Sequence, residues 1–148
     1  MAKAKAPTAG YSGTPLLKKL GYTSEQSAAL IDTPRTLRSQ LTAAKFKTLS
    51  EITIDGTAAL KAPLDVVHLF TTERAKLKRA LPLLMKRLAP AGMIWVSWPK
   101  KAAKVETDIT EDVIRAECLP LGLVDVKVCA VDETWSGLKL VIRKELRK

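Results

Sequence analysis

The sequence predicts an α/β sandwich of three layers, in which helices cover both faces of a mostly parallel sheet of about six strands. Two segments, "LDVVHLFTT" (64–72) and "PAGMIWVSW" (90–98), contain the near-continuous apolar runs typical of strands buried on both faces. Between them, leucines recur at helical spacing over residues 77–88. The chain then ends in two strand-like segments joined by "DETWSG", which predicts an antiparallel C-terminal hairpin. Alternating strands and helices of this kind favour a parallel sheet with crossover connections.

Each predicted element has start and stop signals. Pro15 suits the first position of a short helix that Gly21 ends, and Thr33 with Pro34 opens a second helix. Thr110, followed by two acidic residues, opens the last helix. The predicted helices are 15–20, 34–44, 73–89 and 110–122, and the predicted strands are 27–32, 49–54, 64–72, 90–98, 123–131 and 138–146. We expect residues 1–9 to form a disordered basic tail and residues 10–148 to form a single Rossmann-like domain.

The composition excludes several classes of protein. A chain of 148 residues with 47% hydrophobic and 27% charged residues is typical of one globular domain. No apolar run approaches the ~20 residues that a membrane helix needs, and "MAKAKAPTAG" lacks the apolar stretch of a secretory signal. The two cysteines, Cys118 and Cys129, show no framework spacing, so we expect buried thiols in a reducing cytoplasm.

The net charge of +10 is concentrated in the first two thirds of the chain. Residues 74–104 contain nine basic residues and no acidic one. Such a block attracts anions, including nucleic acid, although it is also compatible with a solvated helix face. The low aromatic content of 5% gives this block no interleaved stacking platform.

Polar residues follow the predicted parallel strands, where ligands of such sheets usually bind. They are Asp32 and Thr33, Asp55, Thr71 and Thr72, and the segment Ser97–Lys101. Because helix N-termini present unpaired amides, Thr33 and Thr72 predict anion-binding positions, with Lys100 and Lys101 supplying charge and Trp98 a wall. The predicted ligand-binding set is Lys100, Lys101, Trp98, Ser97, Thr33, Thr72 and Asp55, with Tyr11, Ser12 and Thr14 closing over it.

Two resemblances follow from these segments. The pattern of residues 60–148, from "LDVVHLF" to the hairpin, resembles the second half of a class I methyltransferase sheet. More specifically, "GYSGTPLLKKLG", "WVSWPKK", "TDITEDVIR" and "GLVDVKVCAVDETWSGLKLVIRK" resemble the bacterial family called domain of unknown function 3052. That resemblance implies a cytosolic Rossmann-like domain and supplies no activity or catalytic residues.

The residues do not favour a cofactor or a catalytic group. The turn after the first strand, "IDTPRT", has no glycine, whereas close approach of backbone to a nucleotide-like cofactor usually needs one, so we predict no cofactor and argue against S-adenosylmethionine. One histidine and two scattered cysteines do not make a structural zinc site. His68 lies in an apolar strand, as expected for a core residue. Ser97-Trp98-Pro99-Lys100 fits S-x-x-K but not on a helix, so no catalytic residue is predicted.

Three hypotheses remain open at this point. The first is a non-catalytic binding module for an anionic or phosphorylated small molecule at the carboxyl ends of the strands. The second is a degenerate methyltransferase-like enzyme. The third is a basic protein that binds nucleic acid or an acidic partner through residues 74–104.

Overall fold

The computed structural model describes residues 15–147, and these form one six-stranded sheet with helices on both faces. The strands are β1 (Ser27–Ile31), β2 (Thr48–Ile52), β3 (Leu64–Phe70), β4 (Leu88–Pro99), β5 (Leu123–Ala130) and β6 (Trp135–Ile142). The α-helices are α1 (Leu16–Leu20), α2 (Arg35–Thr42), α3 (Arg74–Arg87) and α4 (Glu111–Cys118). Tyr11, Ser12, Thr14 and the predicted tail lie outside the described residues.

The strand order is β2-β1-β3-β4-β6-β5. Strands β1 to β4 pair in parallel, and β6 pairs antiparallel with both β4 and β5. The predicted fold class is therefore confirmed: a mostly parallel Rossmann-like sheet that ends in an antiparallel hairpin. The carboxyl ends of β1 to β4 meet at one side of the sheet, which we call the carboxyl edge.

Each face of the sheet has its own apolar core. On one face, here the α3 face, the side chains of Leu77, Leu81 and Leu84 pack with Ile94 and other strand residues. On the opposite face, the α2 face, Leu37 and Leu41 of α2 and Leu20 of α1 pack with Trp95 and its neighbours. Because successive strand residues point to opposite faces, the register assigns every strand side chain to one of them.

Three segments differ from the sequence prediction. The predicted strand 138–146 ends at Ile142, and Lys144–Leu146 form a 3₁₀ segment. A 3₁₀ segment, Ile54–Ala59, and an extended stretch join β2 to β3. Strand β6 begins at Trp135, which the sequence assigned to a turn. The Trp135 ring packs edge-on against Phe70, with ring centroids 5.3 Å apart, so this aromatic folds back onto the sheet. Among residues 15–147, no helix is long and apolar enough to cross a membrane.

Candidate functional site

The turn after β1 ties the ends of β1 and β2 together. Asp32 has a positive φ of 53°, a left-handed conformation that Asp tolerates better than most residues. Its backbone N–H donates to the carbonyl of Ile52 at 2.9 Å, and its Oδ2 accepts a hydrogen bond from the N–H of Ile54 at 3.2 Å. Asp32 therefore provides a left-handed turn that links the ends of β1 and β2 without a glycine.

Thr33 follows this turn and carries an unpaired polar atom. Its Oγ1 is shielded from solvent and has no hydrogen-bond partner among the described residues. Helix α2 begins two residues later, after Pro34, and no side chain caps it. The amides of Arg35 and Thr36 precede the first hydrogen bonds of the helix, which Leu37 and Arg38 donate to the Pro34 carbonyl. Hydrogen-bonding capacity is thus concentrated at the end of β1.

A cavity of about 350 Å³ opens beside Thr33 between the ends of β1 and β2. Its lining residues are Leu30, Asp32, Thr33, Arg38, Glu51, Ile52 and Thr53. One wall is a two-pronged ion pair in which the Arg38 guanidinium donates to both carboxylate oxygens of Glu51, at 2.6 and 2.7 Å. This interaction lowers the pKa of Glu51, so the carboxylate is ionised at neutral pH. The cavity therefore combines hydroxyl groups, a cation and an anion.

The end of β3 is covered by the chain itself. The Thr107 hydroxyl donates to the Thr72 carbonyl at 2.7 Å, so the segment between β4 and α4 folds over this strand end. The Asp108 carboxylate accepts a hydrogen bond from the N–H of Arg74 at 2.7 Å, in the first turn of α3. The N-terminus of α3, which the sequence offered to an external anion at Thr72, thus already holds an internal carboxylate.

Ser97 points into the core and not toward a ligand. Its Oγ lies 2.6 Å from Nε2 of His68, and the hydroxyl of Tyr22 lies 2.5 Å from Nδ1 of the same ring. Both Ser97 and His68 are fully buried on the α2 face. Burial lowers the pKa of His68 to about 3 and raises that of Tyr22 well above its usual value. The expectation of a core histidine agrees with this geometry, whereas Ser97 is removed from the side chains that a ligand could reach.

The predicted lysines do not meet the predicted threonines. The backbone N–H of Lys100 donates to the Thr134 carbonyl at 2.7 Å, and its charge acts on Cys129 of β5, on the far side of β4 from β1. Trp98 packs against the core of the α3 face and is only partly exposed. Neither Lys100 nor Lys101 lines the cavity at Thr33 or the one at Thr72. The structure therefore does not bring Lys100 and Lys101 into one cavity with Thr33 or Thr72.

Asp55 is separated from the Thr33 cavity as well. Asp55 is an exposed residue of the 3₁₀ segment and lines a smaller cleft of about 160 Å³ beside Lys76 and Arg79. Sequence reasoning missed the ion pair of Arg38 and Glu51. An acid near the end of β2 and a cation in the first turn of α2, the helix before that strand, were the available signals, but their pairing depends on tertiary packing.

A larger cavity of about 510 Å³ lies elsewhere, along the α3 face of β2 and the segment that leads to β3. Small and apolar side chains line most of it, and Lys61 is its one charged lining residue. Its polar lining residues are Ser27, Thr48, Ser50 and Lys61, and unlike the cavity beside Thr33 it is lined by no acidic residue and no ion pair. We therefore place the candidate site at the carboxyl edge, where parallel sheets bind ligands, and not in the largest cavity.

Neither sequence comparison identifies a family for the chain. No family model matches it, and no curated protein sequence matches it. Membership of the domain of unknown function 3052 family is therefore not supported. The structural comparison is informative, because many solved structures have a similar fold.

The chain is similar to a ribosomal protein L11 methylase from Lactobacillus delbrueckii subsp. bulgaricus, at 12% identity and a TM-score of 0.61, over 80% of this chain and 71% of that one. It is also similar to an S-adenosylmethionine-dependent methyltransferase from Clostridium acetobutylicum, at 7% identity and a TM-score of 0.55, over 86% of this chain and 87% of that one. A third similar structure is magnesium protoporphyrin IX methyltransferase from Synechocystis PCC 6803 with bound SAH, at 11% identity and a TM-score of 0.54. The similarity covers 86% of this chain and 78% of that one.

The chain has a class I methyltransferase-like fold. This finding confirms the methyltransferase resemblance at the level of the fold. It also overturns the argument against S-adenosylmethionine, because proteins that depend on this cofactor share this sheet.

Proposed function

We propose that the protein is a methyltransferase-like protein that binds S-adenosylmethionine at the carboxyl ends of β1 and β2. The observation that carries this proposal is the unpaired, solvent-shielded hydroxyl of Thr33 beside a polar cavity at the first strand turn. The position agrees with the general rule for parallel sheets. The chain passes from β1 outward to β2 and then back to β3 on the other side, so β1 adjoins the point where the strand order reverses.

The residues present fit such a ligand. Hydroxyl groups of a ribose suit the Glu51 carboxylate, which keeps acceptor capacity beyond its two bonds to Arg38. The carboxylate of the amino-acid part suits the free amides of Arg35 and Thr36 at the start of α2. Thr33 would donate or accept one further hydrogen bond. When bound, S-adenosylmethionine supplies a methyl group on a positively charged sulfur.

The energetic role of Thr33 follows from its burial. A buried hydroxyl without a partner costs about 1–3 kcal/mol, and a ligand that pairs with it recovers this energy. The ligand-free protein thus carries a small local penalty that binding removes. The Arg38–Glu51 pair holds the opposite wall in place, because two parallel hydrogen bonds fix the orientation of both side chains.

We favour this function over a non-catalytic module for phosphorylated ligands. That hypothesis depended on Lys100 and Lys101 facing Thr33 and Thr72, and the side chains do not converge. The internal carboxylate of Asp108 also competes with an external anion at α3. We also propose a cytoplasmic location, in keeping with two unpaired, buried cysteines.

The proposal can be tested by calorimetric titration of the protein with S-adenosylmethionine and S-adenosylhomocysteine. Thr33→Val removes the hydroxyl while keeping the shape, so we expect about 5- to 160-fold weaker binding, corresponding to about 1–3 kcal/mol. The same variant should be at least as stable as the wild type without ligand, because it removes an unpaired polar group. Thr48→Val, an exposed change at the amino end of β2, is the matched control.

Two results would overturn the proposal. One is a wild-type protein that shows neither heat of binding nor thermal stabilisation at millimolar ligand. The other is a Thr33→Val variant that binds as tightly as Thr48→Val.

A further inference from the structure

A row of lysines lies on the α2 face over the hairpin half of the sheet. Lys127 of β5 and Lys139 of β6 are directly opposite each other in the register, and Lys139 also pairs with Trp95 of the α2-face core. Residues opposite each other in adjacent strands point to the same face. Lys19 of α1 reaches the same region, where its Nζ donates to the Ala130 carbonyl at 3.3 Å.

Lys100 extends the row at the carboxyl edge. Its charge, with those of Lys19 and Lys127, acts to lower the pKa of the Cys129 thiol, which burial raises. The backbone of Lys100 lies beside the hairpin turn, where its N–H donates to the Thr134 carbonyl. We call Lys19, Lys100, Lys127 and Lys139 the hairpin lysines.

The charges of the hairpin lysines are not neutralised within residues 15–147. None of the ion pairs among these residues includes one of them. The Nζ of Lys127 donates to the backbone carbonyl of Lys19 at 3.1 Å, and Lys19 donates to another carbonyl. Carbonyl groups satisfy the hydrogen bonds of an ammonium group but leave its net charge in place.

The acidic residue of β5 has a partner of its own. Asp125 of β5 binds Arg115 of α4 on the opposite face, at 2.8 Å. Glu25 and Asp65 line a groove beside Lys139 but form no ion pair with it. Like charges directly opposite in a sheet are destabilising. An arrangement of this kind is stabilised when an anionic partner lies across it.

We propose that the hairpin lysines form a binding surface for single-stranded nucleic acid, with the phosphate backbone lying across β5 and β6. The row extends from the carboxyl edge down the two strands, so it suits a linear polyanion better than one compact anion. Lysine ammonium groups bind phosphates as point charges. Trp135 is partly exposed on the same face, at the carboxyl edge of the sheet, and its ring can stack on a base.

This surface differs from the helix that the sequence indicated for nucleic acid. Two basic residues of α3 have acidic partners: Arg74 pairs with Glu117, and Lys76 pairs with Glu73. Two exposed lysines of α3, Lys78 and Lys86, take part in none of these ion pairs and provide a matched comparison. The proposal does not depend on the binding of S-adenosylmethionine.

The test is fluorescence anisotropy with a labelled single-stranded RNA of about twenty nucleotides, measured at several salt concentrations between about 50 and 200 mM. The double variant Lys127→Gln, Lys139→Gln should bind about twenty-fold more weakly at 0.1 M salt, if each lysine neutralises one phosphate. The slope of log affinity against log salt should become shallower by about 1.4. The control, Lys78→Gln with Lys86→Gln, removes the same charge from α3 and should change affinity less than about two-fold.

Stability measurements separate a binding defect from unfolding. Because the hairpin variant removes a like-charge pair, its melting temperature should be equal to or higher than that of the wild type. Lys127→Glu should raise the melting temperature through a new pair with Lys139 and should weaken RNA binding further.

Three results would overturn the proposal. The first is a wild-type protein that shows no salt-dependent binding of RNA. The second is a loss of affinity in the α3 control variant equal to that in the hairpin variant. The third is binding to phosphatidylserine vesicles that is tighter than binding to RNA and depends equally on the hairpin lysines. The last result would assign the surface to a membrane and not to nucleic acid.

Discussion

The buried histidine predicts a specific dependence of stability on pH. His68 is the one histidine in the 148-residue sequence, and its side chain is fully buried between Tyr22 and Ser97. Its ring also stacks on Phe70, with centroids 4.3 Å apart. In this environment the neutral imidazole accepts a hydrogen bond from one hydroxyl and donates one to the other, and burial disfavours the positively charged ring.

The magnitude follows from the two pKa values. Burial lowers the pKa of His68 to about 3 in the folded protein, whereas the unfolded chain has the usual value near 6.5. Between these values the unfolded state binds more protons, so the free energy of unfolding is highest above pH 6.5 and decreases as the pH falls toward 3. Between pH 6 and 5 this linkage removes about 1.2 kcal/mol.

The assay is urea unfolding of the wild type and of His68→Gln at pH 7, 6 and 5. The variant has no titrating group at this position, so its free energy of unfolding should change little between pH 6 and 5. The carboxylates whose pKa is lowered by arginine partners, Glu51 and Asp125, begin to titrate at lower pH. The expected wild-type loss corresponds to a decrease of about 2–5 °C in melting temperature.

A clear result would refute this reasoning. If the wild type and His68→Gln lose the same free energy between pH 6 and 5, His68 takes up its proton in the folded state. The imidazole proton signals in an NMR titration provide an independent check, because they should stay at their neutral positions down to pH 4.

Two further variants test other parts of the account by urea unfolding. Ser97→Ala should lower the free energy of unfolding by about 1–3 kcal/mol, because it leaves a buried ring nitrogen of His68 unpaired; a loss below about 0.5 kcal/mol would contradict the hydrogen bond. Asp108→Ala removes the carboxylate that accepts from the Arg74 amide at the start of α3, and should cost about 0.5–2 kcal/mol. Equal stability of Asp108→Ala and Glu106→Ala, an exposed neighbouring acid, would show that this cap contributes nothing.

Much of the fold could be predicted from local sequence. The buried strands β3 and β4 are apolar along nearly their whole length, which distinguishes them from half-exposed strands. Thr110 caps α4 as expected, with its Oγ1 accepting from the Val113 amide at 3.2 Å. These signals depend on neighbours in the chain, so no knowledge of tertiary contacts was needed.

The candidate site could not be predicted to the same depth, because it depends on register and long-range contacts. Ser97 and Trp98 are adjacent in sequence but face opposite cores, and the apolar run gave no sign of which would point where. Asp108 reaches α3 from 34 residues away. Nothing in "IDTPRT" indicates that Asp32 adopts the left-handed turn.

The most direct test of the central claim is an amide NMR titration of the protein with S-adenosylhomocysteine. The account predicts saturable shifts concentrated at Asp32–Thr36 and at Glu51–Thr53, around the cavity between β1 and β2. Shifts confined to the hairpin or to the opposite end of the sheet, or no shifts at millimolar ligand, would contradict it.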